Sequence, residues 1–91
     1  MNLKQANEQI VRFFNGDKLT FCVERFGENN EEWIARCDQL AAITTSGFGF
    51  DEREMRDLVK DAIITAAGVD GEFADEVLKE FSLTNELVVS L

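Results

Sequence analysis

Ninety-one residues are enough for one domain, and 45% hydrophobic residues with eight Phe and one Trp argue against a disordered chain. Nine Lys plus Arg against eighteen Asp plus Glu leave a net charge of −9 with no His. That balance opposes binding to nucleic-acid phosphates and favours solubility or a basic partner.

The first segment places Leu3, Ala6, Ile10 and Phe13 or Phe14 at helical spacing, with Asn2 as N-cap and Gly16 as a left-handed stop. A helix is predicted over 3–14. Leu19, Phe21 and Val23 then alternate with Thr20, Cys22 and Glu24, as in a strand with one buried face. After the turn residues Gly27 to Asn30, Trp33, Ala35 and Cys37 form the buried set of a second strand. A third strand is expected from Ala42 to Thr45, stopped by Ser46-Gly47.

Asp51 with Glu54 three residues on makes the Asp version of a capping box, and Phe50 and Met55 occupy the positions of a hydrophobic staple. Met55, Leu58, Val59, Ala62, Ile63 and Ala66 repeat as the apolar stripe of a long helix that Gly68 ends, with Glu52–Arg56 and Arg53–Asp57 pairs on its outer face. Asp70-Gly71 opens a short helix with Phe73, Val77, Leu78 and Phe81 inward and Asp75, Glu76, Lys79 and Glu80 outward. Glu86 to Leu91 reads as a final strand, apolar enough to pair with a second copy or a target if it lies at an edge. The fold class is therefore α+β, an antiparallel sheet of three to four strands with helices packed on it.

If Trp33, Ala35 and Cys37 share a face with Leu19, Phe21 and Val23, Phe21 lies opposite Cys37 and Cys22 points the other way. A disulfide between the two is excluded, and both thiols are expected to be buried and inert. No run reaches the roughly 18 to 20 apolar residues of a membrane span, and the opening segment has no signal-peptide core. The expectation is a cytoplasmic protein. Cysteines fifteen residues apart and no His make no zinc site, and the missing His removes the commonest base for a Ser or Cys nucleophile. No phosphate-binding loop or dinucleotide fingerprint occurs, so no cofactor is expected.

The stretch Glu31-Glu32-Trp33-Ile34-Ala35-Arg36-Cys37-Asp38-Gln39-Leu40, then Thr44-Thr45-Ser46-Gly47, then Asp51-Glu52 and a helix reaching Ala62-Ile63, resembles the HicB-like antitoxin domain. The resemblance spans about residues 18–67. It departs from the family at Asp38, where a Pro is usual, at Ala41-Ala42, where Pro-Gly is usual, and at Arg53, where a small Ala is usual. It implies a β-β-β-α-β core, here preceded by an extra N-terminal helix (1–16) and followed by a short helix and terminal strand (69–91), all in one domain. It further implies a protein that neutralises a small basic ribonuclease toxin by covering its active surface. The C-terminal DNA-binding module of many such antitoxins has no counterpart in residues 69–91.

Residues 1–50 hold seven acids and five bases, net −2, whereas 51–91 hold eleven acids and four bases, net −7. The densest acidic set, Asp70, Glu72, Asp75 and Glu76, and Phe48, set between Gly47 and Gly49, are the candidate partner-binding residues. The calcium-loop spacing is not met around Asp70. Asp38, Asp51 and Glu54 are the carboxylates nearest strand ends for two-metal chemistry. The expected function is a non-enzymatic protein-binding module, antitoxin-like or an inhibitor of a basic partner. The alternatives are a small self-associating homodimer and a divergent metal-dependent nuclease.

Overall fold

The structure is a computed structural model that describes residues 1–16, 19–78, 80–83 and 86–90, with side chains described as far as Leu78. The chain is α+β. Helix α1 (Leu3–Phe14) starts at a reciprocal capping box: the Gln5 N–H donates to Asn2 Oδ1 and the Asn2 N–H donates to Gln5 Oε1, each at 2.9 Å. Its stop begins one residue earlier than predicted, because Asn15 already adopts the left-handed conformation, φ 51°. Ala6, Ile10 and Phe14 form its buried stripe.

Strands β1 (Leu19–Phe26) and β2 (Glu32–Cys37) pair antiparallel across a 3-10 turn at Glu28–Asn30, with Phe21 opposite Cys37 and Val23 opposite Ala35. This is the register the alternation predicts. Strand β3 occupies Thr44–Phe48, so it starts two residues later than expected and runs through Ser46-Gly47 instead of stopping there. The reason lies across the strand. Gly47 pairs with Trp33, and a Cβ at Gly47 would sit 2.5 Å from the indole Cζ2. The glycine makes room for the buried Trp33 ring and is not a turn signal.

Helix α2 (Glu52–Ala67) is capped by Asp51, whose Oδ1 accepts the N–H groups of Arg53 at 3.0 Å and Glu54 at 3.3 Å. Among the described residues the Glu54 side chain returns no bond to the cap, so the predicted box is half formed. Met55, Val59, Ile63, Ile64 and Ala67 are buried, whereas Leu58 and Ala62 are half-buried and Ala66 is exposed. The inward stripe is thus turned slightly from the predicted one. Neither Glu52–Arg56 nor Arg53–Asp57 is an ion pair among the described residues. Gly68 ends the helix at φ 74°.

The helix predicted after Asp70 is shorter than expected: a 3-10 turn (Gly71–Phe73) leads into α3 (Ala74–Val77), and Glu80–Leu83 is strand β4. Phe81 and Glu80, expected on the helix, belong to that strand; Lys79 lies outside the described residues. Strand β5 (Glu86–Ser90) pairs with β1 on one side and β4 on the other, giving the order β3-β2-β1-β5-β4. The sheet has five strands where three to four were expected, and the final strand is internal, so it is not an edge open to a second copy or a target. Leu91 lies outside the described residues.

Ile10 and Phe14 of α1, Phe21 of β1, Trp33 of β2, and Val59 and Ile63 of α2 belong to one buried cluster. All the helices therefore cover one face of the sheet. Helix α1 packs beside α2, where Gln9 Nε2 donates to the Ala67 carbonyl at 2.9 Å. The other face of β1 to β3 has no covering layer among the described residues. That corrects the expectation for the thiols: Cys37 is buried, but Cys22, on the uncovered face, is exposed, and both are free. A thiol reagent such as DTNB should accordingly modify Cys22 in the folded protein within minutes and Cys37 only after unfolding, followed by absorbance and mass. No helix of the described residues is long and apolar enough to cross a membrane.

Candidate protein-binding surface

Two strand registers build one row across the uncovered face. Phe26 of β1 stands opposite Glu32 of β2, and Phe48 of β3 stands opposite Glu32 from the other side. Phe26 is 48% exposed and Phe48 64%, with the exposed Glu32 between them. In the next row Ile34, half-buried, lies between Glu24 and Ser46. Arg36 Nη1 then comes within 3.7 Å of the Glu24 carboxylate, both ends well exposed. The pleat explains the row: with Leu19, Phe21, Trp33 and Ala35 turned to the helices, every second residue faces outward. Aromatic groups are thus placed where no helix covers them. Phe48, which the sequence sets beyond the Ser46-Gly47 stop, is the last residue of β3.

Arg25 closes the same end of the sheet. Its Nη1 donates to the Gly49 carbonyl at 3.0 Å and to the Asn30 carbonyl at 3.3 Å, and its guanidinium lies 4.8 Å from the centroid of the Phe50 ring. It ties the β1–β2 turn to the segment before α2, with a cation–π contact worth about 0.5–1 kcal/mol at an exposed site. Phe50 is 60% exposed beneath that guanidinium, so it is not drawn into the core with Met55 as the staple predicted. Gly27, at φ 81°, leaves space for the Glu32 carboxylate, which a Cβ there would strike. Glu28, Glu32, Asp51 and Glu52 are exposed at or next to this end. Three phenyl rings and several carboxylates therefore share one end of the domain.

The predicted acidic set lies elsewhere. Asp70, Glu72, Asp75 and Glu76 are all exposed after the C-terminal end of α2, whereas Phe48 precedes its N-terminal end. Sixteen helical residues, about 24 Å at 1.5 Å per residue, separate the two ends. Asp70 Oδ2 is 3.9 Å from the Met1 amino group, and Lys60 Nζ donates to Asp75 Oδ1 at 3.0 Å, tying α3 to α2. Half of the set thus has a partner within the fold, in contacts of the exposed kind that add at most about 1 kcal/mol each. The structure does not bring this set together with Phe48.

No family model, curated protein or solved structure matches this chain.

Among the described residues no group of three or more His, Cys, Asp or Glu side chains could hold a metal ion. Of the three carboxylates considered for two-metal chemistry, Asp51 is engaged in capping α2. What the site offers is aromatic area beside negative charge, the chemistry of a contact surface. Sequence reasoning named Phe48 but missed Phe26, Glu32 and Phe50. A signal for Phe26 was present: it has the parity of Thr20, Cys22 and Glu24, opposite to the buried set, so an apolar ring there is an outward one.

Proposed function

We propose that this chain is a non-enzymatic protein-binding module that engages a basic protein, as an inhibitor or in the manner of an antitoxin. The observation that carries the reading is the exposed row Phe26, Glu32 and Phe48 on the uncovered sheet face, with Phe50 exposed at the same end of the domain. Exposed rings set close together supply the anchors that dominate binding energy, and the carboxylates around them select cationic partners. A net charge of −9 raises the encounter rate with such a partner. The strand, strand, strand, helix order from Leu19 to Ala67 supports the HicB-like resemblance, under which the partner is a small RNA-cleaving toxin. The absence of His from the sequence supports a binding role over nucleophilic catalysis.

Affinity isolation of the tagged protein from its native host, washed over a range of salt concentrations, tests this. A basic protein should be retained at low salt and released progressively as ionic strength rises. Recovery of no basic protein by a folded bait, or retention indifferent to salt, would count against the reading.

A further inference from the structure

The edge of β3 is open, and its backbone has a defined outward set of donors. Gly49 N–H donates to Glu31 O and Cys37 N–H donates to Ile43 O, which fixes the 31–49, 33–47, 35–45 and 37–43 positions as the hydrogen-bonded pairs of the β2–β3 ladder. Thr44, Ser46 and Phe48 alternate with these, so their N–H and C=O groups point away from β2. Among the described residues none of those three N–H groups has a hydrogen-bond partner. Among the described residues strand β3 pairs with β2 alone and ends the sheet. It carries no Pro, no Lys and no other charge, the devices that commonly block such an edge.

Beside the edge, between β3 and α2, runs an open cleft of about 440 Å³ lined by Ile43, Leu58, Asp61, Ala62, Thr65 and Ala66. Its polar lining is Thr44, Thr45, Thr65 and one carboxylate, Asp61, which is exposed and makes no ion pair among the described residues. We infer that β3 accepts an extended, basic segment of the partner as an added strand, with alternate apolar side chains in this cleft and a Lys or Arg at Asp61. The backbone edge selects an extended segment, and the charge selects a basic one. A second copy pairing through its own β3 would bring −9 against −9, and Thr44–Phe48 carries no cation for Asp61. The inference rests on the reading of a basic partner and adds how that partner is held.

The probe is a synthetic heptapeptide alternating valine and arginine, with an alternating valine–glutamate peptide as control. Titration should show saturable binding of the arginine peptide and at least tenfold weaker binding of the glutamate peptide. Amide hydrogen exchange by NMR should show new protection at Thr44, Ser46 and Phe48, with Thr45 and Gly47 changing little. Ser46→Pro removes an outward N–H and leaves the ladder to β2 intact, so it should weaken peptide binding at least tenfold while the circular dichroism spectrum is kept. Arginine-peptide binding without protection at those three amides overturns the inference, and so does undiminished binding to Ser46→Pro. Protection of the same amides in the peptide-free protein, with dimers in sedimentation, assigns the edge to a second copy and also overturns it. If a basic host protein binds wild type and Ser46→Pro alike, the added-strand inference fails and the binding-module reading stands; if none binds either, that reading fails.

Discussion

Trp33→Ala should cost about 3–5 kcal/mol of folding stability, read as a fall in the urea midpoint with little change in slope. The indole is almost wholly buried on β2, between the sheet and the helices, and Gly47 has no side chain because the ring occupies that space. Gly47→Ala should itself cost about 1–3 kcal/mol, the usual range for forcing atoms into a packed core. The two changes are coupled through the same volume. With the indole removed, a Cβ at residue 47 meets nothing comparable, so the double variant should be less destabilised than the two single effects together, by about 0.5–3 kcal/mol. Strict additivity would mean that Gly47 is required for a reason other than the ring, and the account of β3 would need revision.

That pair also shows where sequence reasoning ends. The bounds of α1 were readable because Asn2 and the Ala6, Ile10, Phe14 spacing are local signals, and the β1–β2 register followed from alternation alone. Gly47 carries the same letter whether it breaks a strand or yields to a ring on the next one, and only the pairing with Trp33 decides. Phe73, Val77, Leu78 and Phe81 are spaced as in a helix, but so short an apolar run fits either period, and the chain turns into β4 at Glu80. Strand order is non-local too: nothing in Glu86–Ser90 says that β5 lies between β1 and β4. The site followed the same rule. Phe48 was visible as an aromatic between glycines, whereas its alignment with Glu32 and Phe26 exists only after two registers are known.

Phe26→Ser together with Phe48→Ser should weaken binding of the basic partner by about 2 kcal/mol or more per ring, roughly thirtyfold or more each. Folding stability should change little, because both rings stand in solvent on the uncovered face. This combination separates a contact role from a packing role, since Trp33→Ala loses stability first. Replacing Asp70 and Glu72 with Lys should act differently. Those carboxylates lie beyond the far end of α2, so the change should slow association and flatten its salt dependence while the dissociation rate is nearly kept. Equal losses of lifetime from both kinds of variant would place the acidic set inside the contact and remove the distinction drawn between the two ends.

Amide hydrogen exchange on the protein alone and bound to its basic partner, isolated from the host, shows which end of the domain the partner covers. New protection is expected in 24–34 and 44–50, where the uncovered rows and the β3 edge lie, with exchange in 70–76 unchanged. Protection confined to 70–76, with the Phe26, Glu32 and Phe48 row as open as before, would contradict it.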